Sequence, residues 1–174
     1  MSEYRFCPQC ATPLQWIARL EDGGEKQRLR CPACDWTHWN NPTPVLAAVI
    51  EYQGRILLAR NAAWTDKFYA LVTGFMEAGE TPEEGIAREI SEETQLRACS
   101  LELIGVYDFQ RMNQLIIAYH AACEGEVKLS PELVDYKLFA FEQVRCWPAG
   151  TGQALADWLR RRGYEPQFTQ PRRA

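Results

Sequence analysis

The stretch from Gly74 to Leu96, G-F-M-E-A-G-E-T-P-E-E-G-I-A-R-E-I-S-E-E-T-Q-L, limits what the chain can fold into more than any other. Its second half specifies a helix. Thr81 suits the N-cap, Pro82 suits the first helical position, and Glu84 stands where a capping box needs its acid. At about 100° per residue, Glu89, Glu92 and Glu93 share one narrow face, and Ile86, Ala87, Ile90 and Thr94 share the neighbouring one. One face packs and the other gathers charge. Arg88, four residues after Glu84 and four before Glu92, is placed to tie carboxylates together, yet acids spaced by three and four still repel one another. The plain reading of such a helix is a solvated charge run. The sharper one is a cation site, because hard oxygen ligands suit Mg²⁺ or Mn²⁺, which bridge protein carboxylates to substrate phosphates. Ahead of the helix, Gly74 and Gly79 flank a loop ending at Glu80, which brings backbone groups and a further carboxylate towards the same face.

A second constraint lies at the N-terminus, where Cys7-Pro8-Gln9-Cys10 and Cys31-Pro32-Ala33-Cys34 are separated by twenty residues. Strand character at Leu14–Leu20, a turn at Glu21-Asp22-Gly23-Gly24 and a further strand join the two knuckles as a hairpin. Paired C-x2-C units at this spacing match a four-thiolate tetrahedral Zn²⁺ site, with the metal supplying stability that so short a segment cannot draw from a core. A site closed by Cys7, Cys10, Cys31 and Cys34 has no open coordination position and is structural. Redox pairs or a disulfide hairpin are the alternatives, but a thioredoxin-like site belongs on a βαβ pattern that is missing here. The expected division is a ribbon over residues 1–40 and a second domain over 41–174, joined by the rigid Asn40-Asn41-Pro42-Thr43-Pro44.

The rest of the chain reads as strands and a second helix. Val45–Tyr52 and Arg55–Arg60 form a hairpin, Tyr69–Val72 is a short strand, and Leu101–Phe109, Leu115–Cys123 and Tyr136–Phe141 follow. Gly152–Arg162 is an amphipathic helix with Leu155, Trp158 and Leu159 on one side, and the polar tail after Gly163 is expected to be mobile. Strands interleaved with two helices predict an α/β (α+β) domain whose mixed sheet is covered on both faces. His120, inside an apolar strand, reads as a core or sheet-surface residue, and the dispersed Cys99, Cys123 and Cys146 read as buried, inert thiols.

A chain of 174 residues has room for one good core and a small appendage. No segment approaches the ~20 apolar residues that span a bilayer, the N-terminus has no secretory or transit character, and the paired cysteines favour metal in a reduced compartment, so a cytoplasmic protein is expected. The net charge of −4 gives no global attraction to nucleic acid, which is not an expected partner.

Gly74, five residues, Glu80, seven residues, then Arg88-Glu89-Ile90-x-Glu92-Glu93-x-x-Leu96 resembles the Nudix box of hydrolases that cleave nucleoside diphosphates linked to another group. One position departs from the pattern: Gln95 stands where the family has glycine, and glutamine adopts the left-handed cap less readily. The resemblance implies a Nudix α/β/α sandwich, Mg²⁺ or Mn²⁺ at Glu89, Glu92 and Glu93, and hydrolysis of a diphosphate linkage to two monophosphates, such as AMP and FMN from FAD. Arg88 orients the carboxylates, Glu80 supports the metal-bound water or the helix N-terminus, and one acid receives the water's proton. Nudix enzymes often bring a further carboxylate from the loop before the last strand, here Glu132, with Glu124, Glu126 and Asp135 as competitors. Gly74, Tyr69, Phe75 and Phe109, with Tyr107, are candidates for holding the nucleotide, although strand aromatics are more often core.

The ribbon, the box and the tail Glu132-Leu133 … Trp147-Pro148-Ala149-Gly150-Thr151 together look like the NADH pyrophosphatase branch and its relatives acting on FAD or ADP-ribose. That branch carries S-Q-P-W-P-F-P shortly after the box. Here the region is Tyr107-Asp108-Phe109-Gln110-Arg111-Met112-Asn113-Gln114, which turns the expectation from NADH towards FAD or ADP-ribose. The resemblance also favours a homodimer. The alternative from another class is a ribbon-bearing module that recognises a nucleotide, as a binding or regulatory unit, without strong catalysis.

Overall fold

The computed structural model describes residues 4–65 and 68–169, and the chain divides into two compact units, Met1–Asn41 and Pro42–Ala174. In the first, β1 (Gln15–Glu21), β2 (Gly24–Arg30) and β3 (Thr37–His38) form an antiparallel sheet in that order. Arg30, 5% exposed, ties the sheet together by donating to Thr37 Oγ1 at 2.7 Å and pairing with Glu21. A buried guanidinium without such partners would be strongly destabilising. Tyr4, Trp36 and His38 pack ring to ring, with centroids 4.8–6.1 Å apart, so His38 is spent on packing.

The second unit is built on a mixed sheet. Strands β4 (Thr43–Tyr52), β5 (Arg55–Asn61), β6 (Val72–Phe75), β7 (Arg97–Phe109), β8 (Gln114–Glu124) and β9 (Leu133–Phe139) run in the order β7-β8-β4-β5-β9, with β6 also paired to β4. β4 and β8 are parallel and the other pairs antiparallel. β4 is buried on both faces, which is why it reads as an unbroken apolar run. Alternate residues serve the two sides. Leu46, Ala48 and Ile50 pack against Ile86 and Ile90 of helix α1 (Pro82–Thr94), whereas Val45, Ala47 and Val49 pack against Leu155, Trp158 and Leu159 of α2 (Thr151–Arg161). Each such buried Leu or Ile contributes on the order of 1.5–3 kcal/mol, so the helix carrying the acids is held by its apolar face. Among the described residues, no helix is long and apolar enough to cross a membrane.

Four expectations need correction. The strand placed at Tyr69–Val72 is only an isolated bridge, Ala59 with Ala70, and the strand itself is β6, which contains Gly74. Gly74 has weak strand propensity, but pairing with β4 overrides it. The last sheet strand begins at Leu133 and ends at Phe139. The described part of the tail after Gly163 is held in place: β11 (Gln167–Phe168) pairs in parallel with β10 (Arg145–Cys146), and Thr169 N donates to the Cys146 carbonyl at 2.8 Å. Arg172-Arg173 lie outside the described residues. Among the dispersed thiols Cys146 is buried, but Cys99 is exposed because it sits on the outer strand β7.

Candidate functional site

The thiols of Cys7, Cys10, Cys31 and Cys34 all lie within 4.8 Å of one another and none is bridged. The Sγ separations are 3.5 Å for Cys7–Cys34, 3.4 Å for Cys10–Cys31 and 3.5 Å for Cys10–Cys34. Tetrahedral Zn–S bonds of about 2.3 Å put sulfurs about 3.8 Å apart, whereas a disulfide needs about 2.05 Å, so the geometry fits zinc. The two knuckles repeat one device: Gln9 N donates to Cys7 Sγ and Ala33 N to Cys31 Sγ, each at 3.4 Å.

In the larger unit the acidic stretch borders a cleft of about 450 Å³. Helix α1 begins as its residues dictate: Thr81 Oγ1 accepts from Glu84 N at 3.2 Å, and Glu84 Oε2 accepts from Thr81 N at 2.8 Å. Glu84 is spent on this cap, so it is not the carboxylate Arg88 reaches. The helix ends on Gln95, which does adopt the left-handed cap at φ 60°, its N–H bonded to the Ser91 carbonyl. Gly74 has its own purpose. A Cβ there would lie 1.8 Å from the Glu89 carboxyl carbon, so the missing side chain is the space in which the Glu89 carboxylate sits.

Arg88 is saturated. Its Nε donates to Glu80, Nη1 to Glu89 and Glu92, and Nη2 to Glu80 and the Phe75 carbonyl, over 2.8–3.2 Å. A guanidinium has five N–H donors, and each has a partner here, so Arg88 positions three carboxylates and has none left for a phosphate. Glu80 also accepts from Glu77 N at 2.7 Å, and Arg88 with this amide holds its carboxyl down to about 2. The same ion pair, with Glu80 first, raises the Arg88 pKa.

Glu93 is the contrast. It is 8% exposed and makes no ion pair among the described residues, and burial, followed by the charges of Glu89, Glu132 and Glu92, pushes its carboxyl up to about 7. Glu132 is carried in by the loop before β9. Lys128 N and Ser130 N bond the carbonyls of Thr94 and Glu93 at 2.9 and 3.0 Å, and Ala62 N bonds the Glu132 carbonyl at 2.7 Å. Its competitors are occupied elsewhere: Glu124 pairs with Arg97, Glu126 with Lys128, and Asp135 accepts from the Tyr69 hydroxyl.

Glu89, Glu92, Glu93, Glu132, Arg88, Gly74 and Phe75 therefore line one cleft, joined by Glu77, Val45, Thr73 and Gln114. Tyr69 and Phe109 do not line it. Tyr69 is turned to Asp135 and lies under Lys137, whose Nζ is 4.5 Å from its ring centre, and Phe109 packs beneath Arg111 and beside Gly150. Glu80 stands behind Arg88. The carboxylates are not drawn to a point: among the described residues only the four cysteines bring three or more ligand atoms within 4.8 Å, and Glu89 and Glu92 are paired with Arg88. Even so, the cleft is walled by five carboxylates against one guanidinium that is already fully paired. Oxygen donors with that excess charge fit a hard divalent cation and repel a bare diphosphate.

The family model described as NUDIX domain matches residues 41–161. The chain belongs to that family. A Nudix N-terminal zinc-ribbon model matches residues 5–40. A NUDIX hydrolase from Nitrosomonas europaea has a similar structure, with a TM-score of 0.72 and 26% identity over 95% of this chain and 97% of that one. Among curated proteins, an NAD-capped RNA hydrolase from Pseudomonas putida is 28% identical over 159 residues, covering 90% of this chain and 55% of its own length. Another from Vibrio vulnificus is 30% identical over 145 residues, covering 80% and 52%. The chain spans about half the length of these relatives. The name of these relatives is that of a hydrolase acting on a nucleic acid, which stands against the expectation drawn from net charge. Thr73, Val45 and Gln114 were not singled out in the sequence, because only the strand register brings them to the Nudix cleft, and Glu77, in the loop after β6, was not singled out either.

Proposed function

We propose that this Nudix hydrolase cleaves the diphosphate linkage of a nucleoside diphosphate derivative, with FAD, ADP-ribose and NADH-like dinucleotides as the substrate class. The observation that carries the proposal is the cleft itself, lined by five carboxylates of which Glu93 is buried. Glu89, Glu92 and Glu93, with Glu132, would hold Mg²⁺ or Mn²⁺, which neutralises phosphate charge and lowers the pKa of the attacking water. The protein's own part is positional. Arg88 fixes Glu89 and Glu92, Glu80 fixes Arg88, and Gly74 makes room for the Glu89 carboxylate. A carboxylate of the cleft accepts the proton of the water that attacks phosphorus, the bridging P–O bond breaks, and two monophosphates leave. Phe75, 58% exposed at the cleft, offers a ring on which a base can stack. The ribbon, residues 1–40, is a zinc-held scaffold preceding the hydrolase domain 41–174 in the chain, and its four free thiols suit a reducing cytoplasm.

The test is a hydrolysis panel of FAD, NADH, NAD, ADP-ribose, diadenosine polyphosphates and NAD-capped RNA, with and without Mg²⁺ or Mn²⁺, read as phosphate released by a coupled phosphatase. Capped RNA is included because of the relatives' name. Without the S-Q-P-W-P-F-P segment, FAD or ADP-ribose is expected to be hydrolysed with kcat/KM at least equal to that for NADH. Turnover of none of these, with nucleotide still bound, would replace hydrolysis with the recognition-module reading.

A further inference from the structure

Resting on the hydrolytic reading above, we infer that Gln114 is a specificity-determining residue that reads the hydrogen-bonding edge of the ring stacked over Phe75. The register places it there. Gln114 pairs with Thr43 and Ile116 with Val45 in the parallel β4–β8 ladder, while Phe75 pairs with Val45 and Thr73 with Ala47 across β4–β6. Paired residues share a sheet face, and alternate residues of one strand return to it, so Gln114, Phe75 and Thr73 project to one side, the side on which Val45, Ala47 and Ile116 join the α2 core. Both Gln114 and Phe75 line the acidic cleft.

Its chemistry is unlike that of its neighbours. The carboxylates of the cleft only accept when ionised, and all five donors of Arg88 are taken. Of the described lining side chains only Thr73 and Gln114 are neutral and polar, and Gln114 alone holds a donor and an acceptor at fixed spacing in one plane. Gln114 is half-buried and its carboxamide has no partner among the described side chains or backbone groups, so an amide lines the cleft with its hydrogen-bonding capacity unused. The complement is a planar heterocycle carrying N–H and C=O, or amine and ring nitrogen, side by side. In the proposed substrate class this edge has two sources: adenine, or the second ring, as the flavin imide or the nicotinamide carboxamide.

The experiment measures kcat and KM of the full chain on FAD, NADH and ADP-ribose for the wild type, the near-isosteric Gln114→Met, and Gln114→Glu, which keeps the size and an acceptor but loses the donor. Only the side chain changes, and the backbone ladder of β8 is kept, so melting temperatures should stay close to wild type; any variant that melts early is set aside in favour of the other. Loss of one or two neutral hydrogen bonds should raise KM about tenfold with kcat within about twofold. A rise on FAD and NADH but not on ADP-ribose identifies the second ring as the group read, and an equal rise on all three identifies adenine. Unchanged KM on every substrate, or a fall in kcat at constant KM, would overturn the assignment. Failure of the wild type to hydrolyse any of the three would instead remove the hydrolytic reading on which it rests.

Discussion

Replacing Glu93 by glutamine separates what the acidic cleft does for chemistry from what it costs the fold. With its carboxyl pushed from the usual 4.5 to about 7, Glu93 resists ionisation in the folded protein. Below pH 4.5 the group is protonated folded and unfolded, and it has no effect. As pH rises from 4.5 to 7 the unfolded chain ionises and the folded one does not, so stability is lost, and above 7 the loss is complete. At about 1.4 kcal/mol per pH unit of displacement, the ceiling is about 3 kcal/mol. A neutral glutamine still gives up hydration in a site that is 8% exposed, so the expected net gain in EDTA at pH 8 is about 1–2 kcal/mol. That raises Tm by roughly 3–10 °C, and the gain should vanish at pH 4. Adding Mg²⁺ or Mn²⁺ should stabilise the wild type and leave the variant behind, and hydrolysis should fall a hundredfold or more, about 2.7 kcal/mol of barrier. Glu83 is a poor control, because it accepts from the Tyr119 hydroxyl at 2.7 Å; the exposed Glu142 serves instead. Melts in EDTA and in metal at pH 4, 6 and 8, with turnover of the best substrate, decide the matter. A Glu93→Gln protein that is less stable than wild type at pH 8, or whose difference from it does not vary with pH, would refute the reasoning.

Gly74→Ala should leave the fold intact, since the clashing Glu89 carboxylate is the end of a flexible side chain, but displacing that carboxylate should lower kcat/KM a hundredfold or more; near-normal turnover would mean Glu89 is not needed where it lies. Gln95→Gly should stabilise the protein by about 0.5–1 kcal/mol in a denaturant titration, because a left-handed non-glycine residue is strained; a loss would show that the exposed glutamine makes an interaction that offsets the strain. Fresh protein should hold about one zinc per chain by metal analysis, and Cys31→Ser should abolish that binding and expose residues 1–41 to proteolysis while leaving diphosphate hydrolysis measurable; full zinc retention would remove Cys31 from the ligand set.

What was legible in the sequence was local. The capping box at Thr81 and Glu84, the apolar spacing of Ile86 and Ile90, and the paired Cys-Pro-x-Cys units all act within a few residues, and each lies where the pattern puts it. The left-handed Gln95 was less legible, because its strain is offset by tertiary structure. Leu96, 1% exposed, anchors the turn in the core on the α1 side, and Thr94 bonds both the Ile90 carbonyl and Leu96 N. Strand β6 and the place of Gln114 depend on partners distant in the chain, and no local pattern announces them. The acids of α1 looked equivalent in the sequence, and their inequivalence is the structural result that matters most for chemistry. Arg88 pairs with Glu80, Glu89 and Glu92, while Glu93 and Glu132 make no ion pair among the described residues and Glu93 meets the charges of Glu89, Glu132 and Glu92. Repulsion therefore converges on Glu93, from Glu89 first and then from Glu132 and Glu92, and a divalent cation beside Glu93 relieves the most energy and is expected to bind there first.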